Sequence, residues 1–584
     1  MAVEIIAEIA NAHQGDPDQA AALAARAFAA GADAVKFQVY YADEFLVERH
    51  PRFQHFRNQS FGLDVWARLI PAAKQAGRVY CDVFGPRAVE TAMANGADGV
   101  KIHSSDTGNL PVLRAAARSG GRVFLSAGGT TARELAAAVR IFTDAGQRPV
   151  ILHGFQSYPT EIEDSDLNRL IWLKAAFGDA CDLGYADHVA GNDAFATTLP
   201  AMALACGIQV IEKHVTLDRA AEGVDYYSSI DVADFAAFVD AMRRAESGLG
   251  AGTGDFSPSE RHYRDTVKKH FVAARDLPAG HVLTIDDLIM KRVPDVEGDA
   301  VDMAKLLGRA LVADVPFEHR LKRADVVNKV WALPVARSAS SRLPGKAMLD
   351  VAGMPALAHL FERLKRIETI DRIVFCTTTL PEDDALAALA AEHRIDCHRG
   401  PVDNVLARML GALDGGDADV VLRVTGDDIL IDRDYVQRAV AHHLATNAEY
   451  TDLKALPSGT EVEVFDADLL RDIERLCADG EGTEYLTFYV VDNAGQFRVT
   501  QAPVDHRHAH DWRLTLDTPK DYEVVRRLLE GMRDAGKALD YTIGDIVAFF
   551  DAHPEVLEIN AGVRQRQAPV SVDTSLDWHR LTQA

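Results

Sequence analysis

The sequence predicts an α/β protein: a (β/α)8 TIM-type barrel, a small second unit, then a doubly wound, mostly parallel sheet. Three observations carry this reading. Eight apolar, β-branched runs recur through the first 220 residues, as expected of strands buried on both faces. Ala-rich stretches of helical period lie between them, so strand and helix alternate eight times. Polar side chains collect at the carboxyl ends of the runs, where a closed barrel of this kind keeps its chemistry.

The eight runs begin at Val3, Asp33, Arg78, Gly99, Arg122, Pro149, Cys181 and Gln209. Their ends carry Glu8, Asn11 and His13; Lys36 and Gln38; Asp82; Lys101 and Ser104; Ser126; His153 and Gln156; Asp187 and His188; Glu212 and His214. The barrel pattern fades near residue 255, after the helix around Phe235–Glu246 and a glycine-rich stretch. A unit of about residues 262–327 follows, with the short strand signals HFVAARDL, HVLTIDDLIMKRV and RALVADV and turn signals such as PAG. It is too small and too poor in helix for a second catalytic core. From residue 328 to about 555 a new series opens: KVWALPVARS, DRIVFCTTT, DCHRG, DVVLRVTGDD, GTEVEVF, FRVTQAPV and WRLTLDT. Residues 556–584 are polar and read as a tail.

At 584 residues the chain needs two or three cores. A net charge of −25 argues against nucleic acid or an anionic membrane as partner, so local basic clusters point to small anionic substrates. The six cysteines are scattered without a CxxC pair, which suggests neither a zinc knuckle nor a disulfide framework. MAVEIIAEIA lacks a basic leader and reads as the first strand. No apolar run approaches membrane-spanning length, so the expected location is cytoplasmic.

In the barrel, His188 and His214 end adjacent strands, within reach of one divalent metal, with Asp187 or Glu212 to complete or orient the set. The alternative is two imidazoles satisfied by backbone hydrogen bonds. Lys36 and Lys101 point to the same mouth and are rarely buried without an anionic partner. A phosphate or carboxylate is the simplest, with Ser104 and Ser126 as neutral donors.

The words IIAEIANAHQGD, AVKFQ, VKIHSSD, LSAGG, SYPT, GYADH, VIEKHVTLDR and GVDYYSSID resemble the sialic acid synthases, and the small second unit looks like that family's antifreeze-like domain. The resemblance spans about residues 1–327. It implies condensation of phosphoenolpyruvate with a sugar aldehyde, with Mn, Mg or Co held by His188 and His214. It also implies phosphoenolpyruvate binding by Lys36, Lys101, Ser104, Ser126 and Gln156. Gln14, Gln38, Asp82, Tyr158, Asp187 and Asp225 are the further substrate contacts expected. The family usually has Glu at Gln14, a hydroxyl residue at Asp82, Asn at Gln156, Ser at Ala186 and His at Tyr226. Asp82 is the awkward departure, since a carboxylate beside a phosphate repels it by about 4 kcal/mol at roughly 4 Å. Either the two lysines offset it, or it serves the metal or the sugar. These departures point to an unusual acceptor. The family's swapped dimer implies a homodimer in which Arg292, in IMKRVPD, reaches the partner's barrel.

In the second half, Arg337, Arg342 and Lys346 share one loop with Ser338, Ser340, Ser341 and Gly345, a setting that suits a triphosphate. The spacing is not that of a Walker A loop. Asp427 and Asp517 end runs that face it, as an α/β sheet would hold Mg with a nucleotide, although either could instead cap a helix. RSASSRLPGK, FERLKR, TTTLPEDDAL, DNVLARM, RVTGDD, TEVEVF and RLTLDTPKDY look like the cytidylyltransferases that activate sialic and octulosonic acids, closest to the branch associated with spore-coat polysaccharide. This implies CTP on Arg337, Arg342 and Lys346, Mg on Asp427 and Asp517, and sugar or nucleotide contacts from Asp403, Glu461, Glu463 and Arg513. The two halves together imply a bifunctional enzyme that makes a 3-deoxy-2-ulosonic acid and couples it to CMP. The rivals are a barrel acting only as a scaffold, and a glycosyltransferase in place of the cytidylyltransferase.

Overall fold

The structure, a computed structural model, describes residues 2–155, 157–250, 252, 256–294, 299–340, 342–477, 486–563 and 574–582. Gln156 and Ser341 lie outside the described residues. The chain divides into two units, Met1–Gly252 and Thr253–Ala584.

The first unit is the expected barrel. Its strands are β1 (Glu4–Ala10), β2 (Ala34–Val39), β3 (Arg78–Val83), β4 (Gly99–Ile102), β5 (Arg122–Ser126), β6 (Val150–His153), β7 (Asp182–Asp187) and β8 (Val210–Thr216). Each pairs in parallel with the next, and β1 pairs with β8 to close the ring; β9 (Ile230–Asp231) extends the end of β8. Strand parity divides the apolar side chains into two sets. Ile6, Ala34, Tyr80, Phe124, Val150, Leu152 and Val210 fill the interior, while the alternate residues, such as Ile5, Val35, Val79 and Ile211, pack against the helices. The helices are amphipathic and capped locally. Asp16 accepts from the amides of Asp18 and Gln19 at one start, and Thr131 forms a capping box with Glu134 at another.

The second unit begins with the helix Pro258–Val267 and a small core of Ala273, Leu277, Leu283, Leu306, Leu311, Val315, Leu321 and Val326. Of the predicted strands here, HFVAARDL and HVLTIDDLIMKRV contribute the antiparallel pair β10 (His270–Ala273) and β11 (Leu288–Lys291). RALVADV makes only isolated bridges, because its residues pair with three separate segments at Val282, Val326 and Leu277.

The large sheet of this unit is built from β12 (Val330–Val335), β15 (Arg372–Thr378), β16 (Asp396–Gly400), β17 (Val420–Thr425), β18 (Tyr450–Asp452), β19 (Glu463–Asp466) and β20 (Val499–Gln501). The short hairpin β13 (Asp350–Val351) and β14 (Met354–Pro355) precedes β15. The sheet order is β16-β15-β12-β17-β19-β18-β20, parallel except at β19. It is covered on both faces: Val330, Ala332, Phe375, Val420 and Leu422 face one core, and Trp331, Leu333, Cys376, Val421 and Phe465 face the other. WRLTLDT is not a strand. Its amides bond two different neighbours, Leu514 to the Ser458 carbonyl (2.7 Å) and Leu516 to that of Asp427 (2.9 Å), so no ladder forms. The pairing strand β18 was not expected. Beyond the predicted end of this domain, Val556 and Asn560 are still buried in it, and residues 574–582 pack Leu576 and Trp578 onto its second core.

Within this unit the small domain is pinned to the large sheet by charge. Arg323 pairs with Asp466 at 2.8 Å with both side chains buried, Lys305 reaches Asp466 at 3.0 Å, and Arg309 forms a two-pronged pair with Asp419. Removing one partner of a buried pair typically costs 3–5 kcal/mol. Lys305 still faces Asp466, so Arg323→Met should lie at the low end, about 3 kcal/mol. Amide hydrogen exchange through residues 305–327 should quicken with it; unchanged exchange would make the docking incidental.

Candidate active sites

The barrel site follows from strand parity. Glu8 faces Lys36 in register across β1 and β2, Asp82 faces Lys101 across β3 and β4, and Glu8 also faces His214 across β1 and β8. Glu212 and His214, two apart on β8, share a face. All therefore point to the interior near the carboxyl ends of the strands. Lys36 Nζ lies 2.6 Å from Glu8, 2.5 Å from Glu212 and 3.8 Å from Asp82. Lys101 Nζ lies 2.8 Å from the other Glu212 oxygen and 3.5 Å from Asp82. None of these five side chains is more than 4% exposed. Both lysines thus lie within ion-pair distance of the same Asp82 oxygen.

Burial lowers the Lys36 ammonium to about 7 against the pull of Glu212, and the second cation, Lys101, adds to the lowering. Lys101 moves the opposite way: burial alone would lower it, but Asp82 and Glu212 together raise it. For Glu212 burial is likewise outweighed, and the two ammonium groups hold its carboxyl well below the usual range. His188 is lowered to about 3 by burial and by Lys101, and His214 is lowered by burial and by His188. Both imidazoles are thus neutral ligand groups.

His188 and His214 stand with ring centroids 5.1 Å apart, and His188, Glu212 and His214 each bring a ligand atom within 4.8 Å of the others. His188 Nδ1 is bonded to the Phe155 carbonyl at 2.9 Å, while the buried His214 Nδ1 has no hydrogen-bond partner. Two neutral imidazoles and a carboxylate suit a divalent transition ion, so these residues fit the metal expected of them. Asp187 does not belong to this set. It aligns with Lys213, on the opposite face of the strands from Glu212, and it is spent on Lys213 and the Tyr185 hydroxyl.

The mouth is finished by a chain of polar contacts. Asn11 donates to Gln38 at 2.9 Å and, through its amide, to Asp225 at 3.2 Å, and it accepts from Tyr40 at 2.8 Å. Gln14 and Asp225 both occupy the left-handed backbone region, and the Gln14 side chain lies against Gly223. Tyr158 packs its ring 4.8 Å from His188; Ser126 is buried at the end of β5, and Ser104 opens the short turn after β4. From the sequence, Glu8 has no role beyond its place at a strand end, and Glu212 stands only as the alternative to Asp187 beside the imidazoles. The i, i+2 spacing of Glu212 and His214 was the available signal.

In the second unit Lys346 contacts Asp427 at 2.7 Å and Asp517 at 3.1 Å, while Arg342 pairs with Asp517. One cation therefore already bridges the two aspartates expected to hold another. Arg513 is anchored to Asp517 (3.2 Å) and to the buried Asp521 (3.1 Å). Arg337 sits half-buried just beyond β12, where the Ser338 amide is tied to Asp383 at 2.6 Å. Glu463 is committed to Arg423, to the Tyr450 hydroxyl (2.9 Å) and to Thr487. Asp403 is exposed before the helix Val405–Leu413. Arg292 is exposed just past β11, beside Tyr263, Arg264 and Lys268. Among the described residues, no helix is long and apolar enough to cross a membrane.

Family models match in three places: the NeuB family over residues 23–254, the SAF domain over 269–316 and cytidylyltransferase over 332–544. The uncharacterized protein MJ1065 of Methanocaldococcus jannaschii is 33% identical over 290 residues, 49% of this chain and 84% of that protein. Pseudaminic acid synthase of Campylobacter jejuni is 28% identical over 340 residues, 55% of this chain and 96% of that enzyme. Among solved structures, the N-acetylneuraminic acid synthetase of Leptospira borgpetersenii in complex with citrate is 31% identical. It covers 46% of this chain and 93% of its own, with a TM-score of 0.43.

Burial, with Asp428 and Glu463 nearby, raises Glu461 to about 8. An unfolded glutamate releases its proton near 4.5, so between pH 4.5 and 8 the folded state holds a proton that the unfolded state has lost. Stability from this group is present below that window and declines as pH rises through it. Glu461→Gln should flatten the decline of thermal midpoint with pH in that window; an unchanged profile would contradict the assignment.

Proposed function

We propose two consecutive reactions for this chain, which belongs to the NeuB family through residues 23–254 and to the cytidylyltransferases through residues 332–544. The barrel condenses phosphoenolpyruvate with a sugar aldehyde to a 3-deoxy-2-ulosonic acid, and the second unit transfers CMP from CTP to that acid. The observation that carries the reading is the meeting of Lys36 and Lys101 on Glu212, beside two neutral imidazoles in a closed barrel mouth.

In the barrel the enol phosphate takes the ammonium groups of Lys36 and Lys101, with Ser104, Ser126, Gln156 and Tyr158 as neutral contacts. Its C3 forms the new bond to the aldehyde carbon, and the aldehyde oxygen gains a proton. Water adds at C2, and the bond from C2 to the phosphate oxygen breaks to release inorganic phosphate. His188, His214 and Glu212 would hold the divalent ion. Such an ion, when bound, supplies Lewis-acid polarisation of a carbonyl, worth several kcal/mol. Gln14, Gln38 and Asp225 line the side where the sugar would sit.

In the second unit Arg337, Arg342 and Lys346 take the triphosphate, and Asp427 and Asp517, which Lys346 bridges, would hold Mg. The anomeric oxygen of the acid attacks the α-phosphorus and pyrophosphate leaves. Asp403, Glu461 and Arg513 are the remaining contacts in this reading, and Glu463 acts through Arg423. Cations around the leaving phosphates stabilise the charge that develops there.

Phosphate release from phosphoenolpyruvate, assayed over a panel of aldoses, tests the first reaction. The His188→Ala, His214→Ala double variant should lose it by at least a hundredfold and still release pyrophosphate from CTP with a supplied ulosonic acid. Full phosphate release without metal in that variant would overturn the barrel assignment. The converse holds for Asp517→Asn: CMP transfer should fall by about a hundredfold at low Mg while the condensation persists. Normal transfer by that variant would remove Asp517 from the site.

A further inference from the structure

The barrel mouth holds three carboxylates, Glu8, Asp82 and Glu212, against two ammonium groups, Lys36 and Lys101, all buried. The neighbouring imidazoles are neutral, and the next pair, Lys213 with Asp187, cancels itself. The cage therefore carries an unbalanced negative charge among buried groups, where charge interactions are weakly screened. Asp82 is the member that tips the count. Glu8 and Glu212 lie at 2.6 and 2.5 Å from Lys36, whereas Asp82 stands off at 3.8 and 3.5 Å from the two lysines. Its second oxygen, Oδ1, is buried with no hydrogen-bond partner. An unpartnered carboxylate oxygen in such a place is costly and marks a group waiting for a ligand.

We propose that Asp82 imposes an order of binding on the barrel, a divalent cation before the anionic enol phosphate, by holding the empty cage net negative. A trianionic or dianionic substrate entering first meets like charge. A divalent cation at His188, Glu212 and His214 would add two positive charges to the cage and compete with both lysines for Glu212, leaving Lys36 to Glu8 and the substrate and Lys101 to the substrate. Asp82→Asn keeps the volume and removes one negative charge from the empty cage, so the order should relax.

The inference rests on the reading of phosphoenolpyruvate as the barrel substrate, and equilibrium binding to the full chain separates the two. For the natural chain stripped of metal, phosphoenolpyruvate should bind at least tenfold more weakly than in the presence of Mn²⁺. For Asp82→Asn stripped of metal, it should bind at least tenfold more tightly than to the natural chain, a gain of 1.4 kcal/mol. Mn²⁺ alone should bind several-fold more weakly to the variant. Asp82→Ser, with far-UV circular dichroism on both variants, guards against a misfolded result. If metal-free affinity for phosphoenolpyruvate is the same in all three proteins, or if Mn²⁺ does not aid binding to the natural chain, the proposed order is wrong. If Mn²⁺ binds as expected but phosphoenolpyruvate binds none of the proteins under any condition, the substrate assignment falls, and the order with it.

Discussion

Glu212 holds two ammonium groups, one on each of its oxygens, buried inside a closed barrel. Most of the barrel site depends on that contact. Lys36 and Lys101 come from strands that are not neighbours of β8, so the ring must close before the charges can meet. A buried ion of either sign costs several kcal/mol unless paired, and five such side chains fit here only because each lies against an opposite charge. The same contact keeps the lysines extended into the mouth. An anion that displaces Glu212 would therefore find its binding groups already oriented.

The second unit uses a similar device with the signs arranged for a different ligand. Lys346 bridges Asp427 and Asp517, and Arg342 and Arg513 crowd the same Asp517. Cations from the loop after β12 and carboxylates that include Asp427, just past the neighbouring parallel strand β17, neutralise one another. Asp428, beside Asp427, is raised to about 7 by burial and by its neighbour's charge. Burial and like charge also raise Glu461, so both carboxyls hold their protons more tightly than free ones.

The second unit opens, in chain order, with a domain whose own core is small, and much of its anchorage is electrostatic. Arg309, Lys305 and Arg323 reach carboxylates at the start of β17 and the end of β19, and Asn447 donates to the Asp299 carbonyl. Fewer buried apolar side chains mean a smaller hydrophobic contribution, and docking onto the large sheet supplies contacts that the domain alone lacks. This is why the domain and the large sheet form one compact unit.

The barrel was legible from the chain because a parallel strand buried on both faces must be a continuous apolar run, and eight such runs stand at regular intervals. The lysines and histidines at their ends could be placed at one rim by the same periodicity, and ordered words such as VIEKHVTLDR and RVTGDD carried the two families. Parity along β8 would also have put Glu212 on the face of His214, and parity along β7 would have put Asp187 on the face opposite to Gly184 and Ala186, since residues an even number apart on a strand share a face. Other features follow from no local pattern. That Asp82 meets both lysines, that Glu212 is shared between them, and that WRLTLDT makes no ladder depend on which backbones become neighbours after the sheets form. The sequence by itself determined which side chains reach each rim, because periodicity is a property of one strand. Only the tertiary structure decided which charges pair there, because pairing is a property of distances between strands that lie far apart in the chain.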